Sequence, residues 1–414
     1  MPAKVILKVT DGPIRGAVHT FEEHDTFIFG RDEGCHARLP EGDKTASRHH
    51  FLLEVNPPAV RVRDLGSLNG THVNGVKCGG RAKGEGPEAL SKRPFPEVDL
   101  EHGDSIRVGK TVFTVEIEAF DSGTDQLATI DAPPQAGRTP PGGIEDYEIE
   151  KLLGRGGFGA VYLARRRADG LHVAVKTMIP RAAGNERFRR GFLREIESTT
   201  RIRHEHIVEV LAQGEAGLGF YFILEYCPGG NLAELMKQNG GKLSLPQAAP
   251  LMIQALQGLS AAHQHGFVHR DLKPANLLLT GEGGRTLKIA DFGLAKEFEK
   301  AGLSGMTRTG TAAGTPYFMA REQLINFKYV RPVTDVWGMA ATFYHLLTGC
   351  FVYDFAPGDD ALAVVLSGQP VPLGDRDPTL PRRFIDVVQR ALALDVNERY
   401  PSGAEFLQAL QAVL

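Results

Sequence analysis

Apolar and polar residues alternate along the first part of the chain. Val5, Leu7 and Val9 are interleaved with Lys4 and Lys8, Val60 and Val62 with Arg61 and Arg63, and Phe113, Val115 and Ile117 with Thr114, Glu116 and Glu118. A period of two turns one side of each strand to a core and the other to water. Clusters of Gly, Asn, Asp and Pro separate these runs, so residues 1–119 read as an all-β sandwich. Residues 77–97 break the pattern with Gly79, Gly80, Gly84, Gly86, Pro87, Pro94 and Pro96, and read as a long, mobile inserted loop. Around 121–144 the texture changes to Pro, Gly, Ala, Ser and Thr without apolar periodicity, which predicts a solvated linker over 120–146. Beyond it, Tyr147, Ile149 and Leu152 precede a glycine-rich turn, and Val161–Leu163 and Val173–Val175 predict further strands. Phe188, Phe192 and Ile196 then follow helical spacing, and beyond about Leu232 helices predominate, as over Ala248–Gln264 and Arg382–Leu394. A β-rich start and a helical remainder predict two lobes of one domain over 147–414, split into about 147–225 and about 231–414.

The length of 414 residues suits two or three domains. Lys and Arg number 47 against 50 Asp and Glu, a net charge of −3, which argues against a strongly basic nucleic-acid binder and an acidic tail protein. Apolar residues at 42% and charged residues at 23% are enough to build a core. Cys35, Cys78, Cys227 and Cys350 show no C-x-x-C spacing and are too few for a disulfide framework, so neither zinc nor an oxidising compartment is expected. The opening M-P-A-K-V-I-L-K carries a charge inside its apolar run, unlike a signal peptide. The apolar stretch Val336–Leu347 is interrupted by Thr342 and His345 and is too short to cross a bilayer. The expectation is a soluble, cytoplasmic protein without nucleic-acid or membrane partners.

Chemistry is concentrated in the C-terminal region. Gly154-Arg-Gly156-Gly157-Phe-Gly159-Ala-Val161 places glycines where backbone N–H groups can approach phosphates. The β-like Val161-Tyr-Leu that follows favours a hairpin over the helix that a dinucleotide fold requires. Lys176 ends a Val-Ala-Val-Lys strand, Glu195 lies on the Phe188/Phe192/Ile196 helix, and His269-Arg270-Asp271-Leu-Lys273-Pro-Ala-Asn276 precedes Asp291-Phe292-Gly293. Any one of these residues alone could be an ordinary strand-end lysine, surface glutamate or loop residue. In this order, over all of 147–414, they resemble a eukaryotic-type serine/threonine protein kinase domain.

The resemblance implies a bilobal α+β fold with a β-rich N-lobe and a helical C-lobe. It implies ATP and Mg²⁺ as cofactors, with Mn²⁺ as an alternative, and proteins bearing Ser or Thr acceptors as substrates. Gly154, Gly156, Gly157 and Gly159 would cover the phosphates, Val161 and Ala174 line the adenine pocket, and Glu225-Tyr226-Cys227 form the hinge. Lys176, paired with Glu195, would hold the α/β-phosphates; Asn276 and Asp291 would bind the metal; Asp271 would accept the hydroxyl proton; and Lys273 would neutralise the γ-phosphate. Thr315 would bond Asp271 and Lys273, and Asp335 would brace the loop from below. The family's A-P-E stands here as Ala320-Arg321-Glu322, with Glu322 free to pair with Arg399. Arg270 implies an activation-loop phosphate, with Ser304, Thr307, Thr309 and Thr311 as autophosphorylation candidates. His263, His265 and His269 are expected to be structural rather than metal ligands.

A second ordered series runs Phe29-Gly30-Arg31, Ser47-Arg48-His49, Asp64-Leu-Gly-Ser67-Leu-Asn69-Gly70-Thr71, Asn74-Gly75, Gly103-Asp104 and Val108-Gly109. It resembles a forkhead-associated (FHA) domain over about 5–118. That family binds phosphothreonine peptides, so Arg31 and Ser47 would contact phosphate, Arg48 would add charge and Asn69 would bond the peptide backbone. Gly30 is expected to make a tight turn and His49 to brace a loop, while Leu68 departs from the usual Ser or Thr. The implied partners are phosphothreonine proteins or the chain's own phosphorylated loop or linker. The chain therefore reads as multidomain: an all-β FHA sandwich, a linker and a kinase. The alternative is a phosphopeptide-binding scaffold with a weak or inactive kinase fold.

Overall fold

The computed structural model describes residues 3–22, 25–80, 96–118, 144, 146–156, 159–178, 202–216, 219–281, 283, 286–292, 316–325, 330–356 and 361–414. The N-terminal strands are β1 (Lys4–Asp11), β2 (Val18–Phe21), β3 (Asp25–Gly30), β4 (Ala37–Arg38), β5 (Phe51–Asn56), β6 (Ala59–Asp64), β7 (Thr71–Val73), β8 (Val76–Lys77), β9 (Glu97–Leu100), β10 (Ser105–Val108) and β11 (Thr111–Glu118). They form two sheets, in the orders β2-β1-β11-β10-β7-β8 and β4-β3-β5-β6-β9. The alternation predicted for β1, β6 and β11 is present: Val5, Leu7, Val60, Val62, Phe113 and Val115 are buried between the sheets. At the centre, Phe29 stacks on Phe51 with ring centroids 4.4 Å apart. Phe113 comes from the opposite sheet and meets Phe29 edge-on at 5.5 Å. The β7–β8 hairpin turns on Asn74 and Gly75, both at positive φ (50° and 82°), where Asn and Gly are the residues of least strain. The predicted 77–97 loop is corrected at both ends. Lys77 closes β8 and Glu97 opens β9, because each finds a ladder partner, His72 and Arg63 respectively. Residues 81–95 lie outside the described residues.

The C-terminal region starts with β12 (Tyr147–Gly156), β13 (Gly159–Arg166), β14 (His172–Met178), β15 (Val210–Ala216) and β16 (Gly219–Glu225), paired in the order β12-β13-β14-β16-β15. A strand follows the glycines, as the hairpin reading requires. β14 has two distinct sides. Val173 and Val175 join Ala164 and Ile223 in an apolar cluster, so Ala174 and Lys176 face the other way.

The second lobe holds a hairpin of β17 (Leu277–Thr280) and β18 (Thr286–Ile289). Its described helices are α1 (Leu232–Gln238), α2 (Leu245–Gln264), α3 (Arg321–Ile325), α4 (Pro332–Thr348), α5 (Ala361–Ser367), α6 (Leu373–Arg376), α7 (Arg382–Ala391) and α8 (Gly403–Gln411). α2 begins three residues before the predicted Ala248, because Ser244 and Gln247 form a capping box. α4 is buried along nearly its whole length and closes at Gly349, whose φ of 73° suits the left-handed cap. The predicted Phe188/Phe192/Ile196 helix lies outside the described residues. No described helix is long and apolar enough to cross a membrane.

Phe113 is fully buried and touches both aromatic partners across the sandwich. Phe113→Ala should therefore cost the N-terminal unit about 3–5 kcal/mol. Urea unfolding of the full chain, followed by amide exchange of β1 and β11, measures it.

Candidate functional site

The loop 269–276 is organised from beneath by one carboxylate. Asp335, on α4, is 2% exposed. It accepts the backbone N–H of His269 at 2.6 Å and of Arg270 at 2.8 Å. His263 of α2 adds a third contact, Nε2 to Oδ2 at 3.0 Å. His263 Nδ1 accepts from the Gly403 N–H at 3.1 Å, so its proton sits on Nε2 and is donated to Asp335. Burial pushes the Asp335 carboxyl upward, but the hydrogen bonds from His263 and from the Arg270 backbone prevail and hold it below the ordinary value. These bonds hold Arg270 at a φ of 71°, a left-handed conformation costing on the order of 1–3 kcal/mol for a non-glycine residue. Asp291 is likewise left-handed, with φ 66°.

Above this base two polar groups form. In the first, Lys273 Nζ donates to Asp271 Oδ2 at 2.8 Å. Asn276 Nδ2 donates to the same oxygen at 3.0 Å and to the Asp271 carbonyl at 2.7 Å. Spending Nδ2 on Asp271 leaves Asn276 Oδ1 as the acceptor end of that amide. In the second, Lys176 Nζ lies 2.7 Å from Asp291 Oδ1. Burial raises the Asp291 carboxyl, and the charge and hydrogen bond of Lys176 more than offset this, so it lies below the usual aspartate range. Lys176 thus reaches across from the sheet lobe to the helical lobe. Its expected partner Glu195 lies outside the described residues, as do Gly157, Thr315, Ser304, Thr307, Thr309 and Thr311.

His269 ties the parts together. Its Nε2 donates to the Ala290 carbonyl at 2.8 Å, its Nδ1 accepts from the Asp271 N–H at 3.2 Å, and Phe292 packs edge-on against its ring at 4.7 Å. His263 and His269 therefore have both ring nitrogens occupied, as their expected structural roles require. His265 Nδ1 bonds the Ala261 carbonyl at 2.8 Å. No cluster of potential metal ligands of the His/Cys/Asp/Glu type occurs among the described residues.

Ala174 is buried and Val161 half-buried on neighbouring strands, with Gly154 paired to Val161 and Gly156 to Gly159 in the β12–β13 hairpin. At the lobe junction, Glu225 is bonded by Lys288 of β18 at 2.9 Å, a contact that single-strand reasoning missed. Cys227 packs with Val208 and Ala290. Burial, with the charge of Glu225, pushes its thiol up to about 12, so it is no nucleophile. Glu322 meets Arg399 bidentately, at 2.6 and 3.0 Å. The Arg399 guanidinium lies 4.9 Å over the Trp337 ring. Gln323, not foreseen, donates to the Arg270 carbonyl.

The N-terminal site is built by three loops at one end of the sandwich. Arg31 Nε donates to the Ala46 carbonyl at 2.6 Å and its N–H to the Ser47 carbonyl at 3.1 Å. Ser47 Oγ accepts the Leu68 N–H at 2.9 Å, and Asn69 Nδ2 donates to the Thr45 carbonyl at 2.7 Å. Arg31, Ser47 and Asn69 are thereby linked, and Arg48 is exposed beside them. Leu68 is 57% exposed. Two expectations need correction. The bracing histidine is His50, whose Nδ1 accepts the Ser47 N–H at 3.0 Å and whose Nε2 reaches the Gly70 carbonyl at 3.3 Å. His49 Nε2 has no hydrogen-bond partner among the described residues. Gly30 serves close approach rather than a tight turn: a Cβ there would stand 1.8 Å from the Arg48 carbonyl oxygen. Sequence reading also missed the role of Asp64. Buried, it accepts the N–H groups of Gly66 and Ser67 at 2.8 Å and of Thr71 at 2.9 Å, together with the Ser67 and Thr71 hydroxyls. The signal was present as an Asp followed by Gly and Ser, the chemistry of an Asx turn.

The comparisons agree with this geometry. The protein kinase domain model matches residues 147–411 and the FHA domain model residues 27–109. The chain belongs to the protein kinase domain family and carries an N-terminal FHA domain. Among its relatives, the serine/threonine-protein kinase drp72 of Corynebacterium efficiens is 33% identical over 65% of this chain and 51% of its own length. PknA of Mycobacterium tuberculosis is 32% identical over 64% of this chain and 61% of its own. The chain thus spans roughly half to three fifths of these curated relatives. The crystal structure of the Mycobacterium tuberculosis PknI kinase domain superposes with a TM-score of 0.52 at 27% identity, covering 68% of this chain and all of that one.

Two outcomes follow from the buried charges. Because the Asp335 carboxyl is depressed in the folded state, its stabilisation is present above the unfolded value, 3.8, and is lost as pH falls through the folded one. Asp335→Asn should therefore flatten the acid limb of C-lobe stability, read from urea midpoints across the acidic range. Arg399→Met leaves Glu322 unpaired and should cost about 3 kcal/mol, read by calorimetry as a lowered C-lobe Tm.

Proposed function

We propose that this chain is a serine/threonine protein kinase that transfers the γ-phosphoryl group of ATP to Ser or Thr hydroxyls of proteins. The supporting observation is the pair of polar groups held over Asp335, namely Asp271 with Lys273 and Asn276, and Lys176 with Asp291. The donor set fits a hard divalent cation. Asn276 Oδ1 and the Asp291 carboxylate are oxygen ligands of the kind Mg²⁺ takes, and Mn²⁺ would fit the same pair. When bound, the metal neutralises phosphate charge. Both side-chain donors to Asp271 lie on Oδ2, so Oδ1 is the oxygen that accepts the proton of the attacking hydroxyl and orients it. Lys273 sits beside it to balance charge on the transferred group, and Lys176 steadies the α/β-phosphates once it exchanges part of its bond to Asp291 for them. Glu195 and Thr315 keep the roles given by family resemblance, as do Gly154, Gly156, Gly157 and Gly159 over the phosphates. Val161, Ala174, Glu225 and Cys227 surround the adenine.

The N-terminal module docks phosphothreonine. Arg31, Ser47 and Arg48 bind the phosphate and Asn69 the peptide backbone. We take the units as 1–119 and 147–414, joined by 120–146. The linker would raise the local concentration of phosphorylated partners, or of the chain's own phosphorylated loop at Ser304, Thr307, Thr309 or Thr311. The proposed setting is the cytoplasm.

Labelled-phosphate transfer from Mg²⁺·ATP to a generic basic peptide tests the reading. Asp271→Asn should reduce the rate by about 10²-fold or more; equal rates in wild type and variant would refute it. Arg31→Ala should weaken binding of a phosphothreonine peptide by about 10–100-fold, since it removes a charge-assisted bond. Calorimetric titration reads that loss. Unchanged affinity would remove Arg31 from the phosphate site.

A further inference from the structure

Strands β3 and β5 do not obey the alternation of a sheet with one face in water. Phe29, Phe51 and Leu53 point into the sandwich. Ile28 and Leu52 point the other way, to the outer face, yet they are only 1% and 7% exposed. Cys35 and Leu65, at 8% and 4%, belong to the same outer patch. None of the four joins the sandwich core. They form one continuous apolar cluster with Leu324 and Ile325 of α3, in the helical lobe. The approach is close: a Cβ at Gly34 would stand 3.4 Å from the Ile325 Cγ2. Arg321 is fixed by hydrogen bonds to the Val365 carbonyl at 3.2 Å and the Gly368 carbonyl at 2.7 Å.

We propose that the outer face of the β4-β3-β5-β6-β9 sheet is an intramolecular docking surface for α3 of the same chain, with Ile28, Leu52, Cys35 and Leu65 receiving Leu324 and Ile325. Two observations assign this occupant. The outward side chains are apolar where an exposed sheet would carry polar ones. Their cover in the structure is α3. Of the FHA residues involved, Ile28 and Leu52 lie on β3 and β5, while Cys35 lies in the loop that carries Arg31 and Leu65 in the loop that carries Asn69. The docked face and the phosphothreonine site therefore share these two loops, and α3 directly follows the Ala320 end of the activation segment. The linker of about two dozen residues, extended at about 3.3–3.6 Å per residue, is long enough to allow the contact within one chain. The proposal does not depend on phosphoryl transfer.

Hydrogen–deuterium exchange on the full chain tests it, comparing wild type with Leu52→Glu. Leu52 faces away from the sandwich, so β1 and β11 should keep their protection in the variant and report an intact FHA fold. The expected result is that amides of α3 exchange at least about tenfold faster, since a buried carboxylate would have to be desolvated for docking to persist. Gly34→Trp is the second variant, in a loop and at a backbone position without positive φ, and should act in the same direction by filling the space against Ile325. Unchanged α3 exchange in the variants that keep β1 and β11 protected overturns the proposal. Loss of α3 protection on dilution of the wild type also overturns it, because the occupant would then be a second copy.

Discussion

A single buried carboxylate underlies the C-terminal site. Asp335 takes two successive backbone N–H groups, from His269 and Arg270, and the imidazole of His263. A loop with a residue at φ 71° does not keep that shape unaided. Strong, short, charge-assisted bonds in a dry setting offset the strain, and α4, buried along its length, keeps the carboxylate in place. Asp271, Lys273 and Asn276 inherit their positions from that arrangement. His269 passes the constraint on to Ala290, one residue before Asp291.

The N-terminal module uses the same device independently. Asp64 collects backbone N–H groups and hydroxyls from 66–71, and His50 bridges Ser47 to Gly70. In both places the groups that aim the site, Asp335 and Asp64, are buried and multiply bonded, whereas most side chains expected to meet ligand are partly exposed, the buried Asn276 excepted. This division follows from desolvation. A charge committed to the interior needs every bond it can make, whereas one meant for a phosphate must keep donors available.

Among the described residues, backbone bonds of His206 and Val208 to Ile289 join the lobes of the kinase domain, as do two ion pairs, Lys176 to Asp291 and Lys288 to Glu225. Each ion pair joins a residue of the five-stranded sheet to one near the β17–β18 hairpin. They link the sheet lobe to the loop beside an apolar cluster of Val208, Cys227 and Ala290, against which Leu224 and Leu278 pack. The Glu322–Arg399 pair differs, lying within the helical lobe against Trp337 and anchoring α3.

Much of this was legible in the order of residues. Period-two runs announced β1, β6 and β11, because a half-buried strand leaves that imprint on any sequence. The order of Lys176, Asp271, Lys273, Asn276 and Asp291, and of Arg31, Ser47 and Asn69, named residues that the fold brings together in two clusters. Tertiary structure decided which residues do the holding. Nothing local distinguishes His50 from His49 as the brace, because only the folded loops show which ring lies between Ser47 and Gly70. Gly30 looks like a turn glycine until the Arg48 carbonyl is seen against it. Likewise, Ile28 and Leu52 break a pattern that only the packing of α3 explains. Side-chain type and period are properties of neighbours along the chain. Bracing, close approach and cover are made by residues distant in sequence, and exist only once the chain has folded.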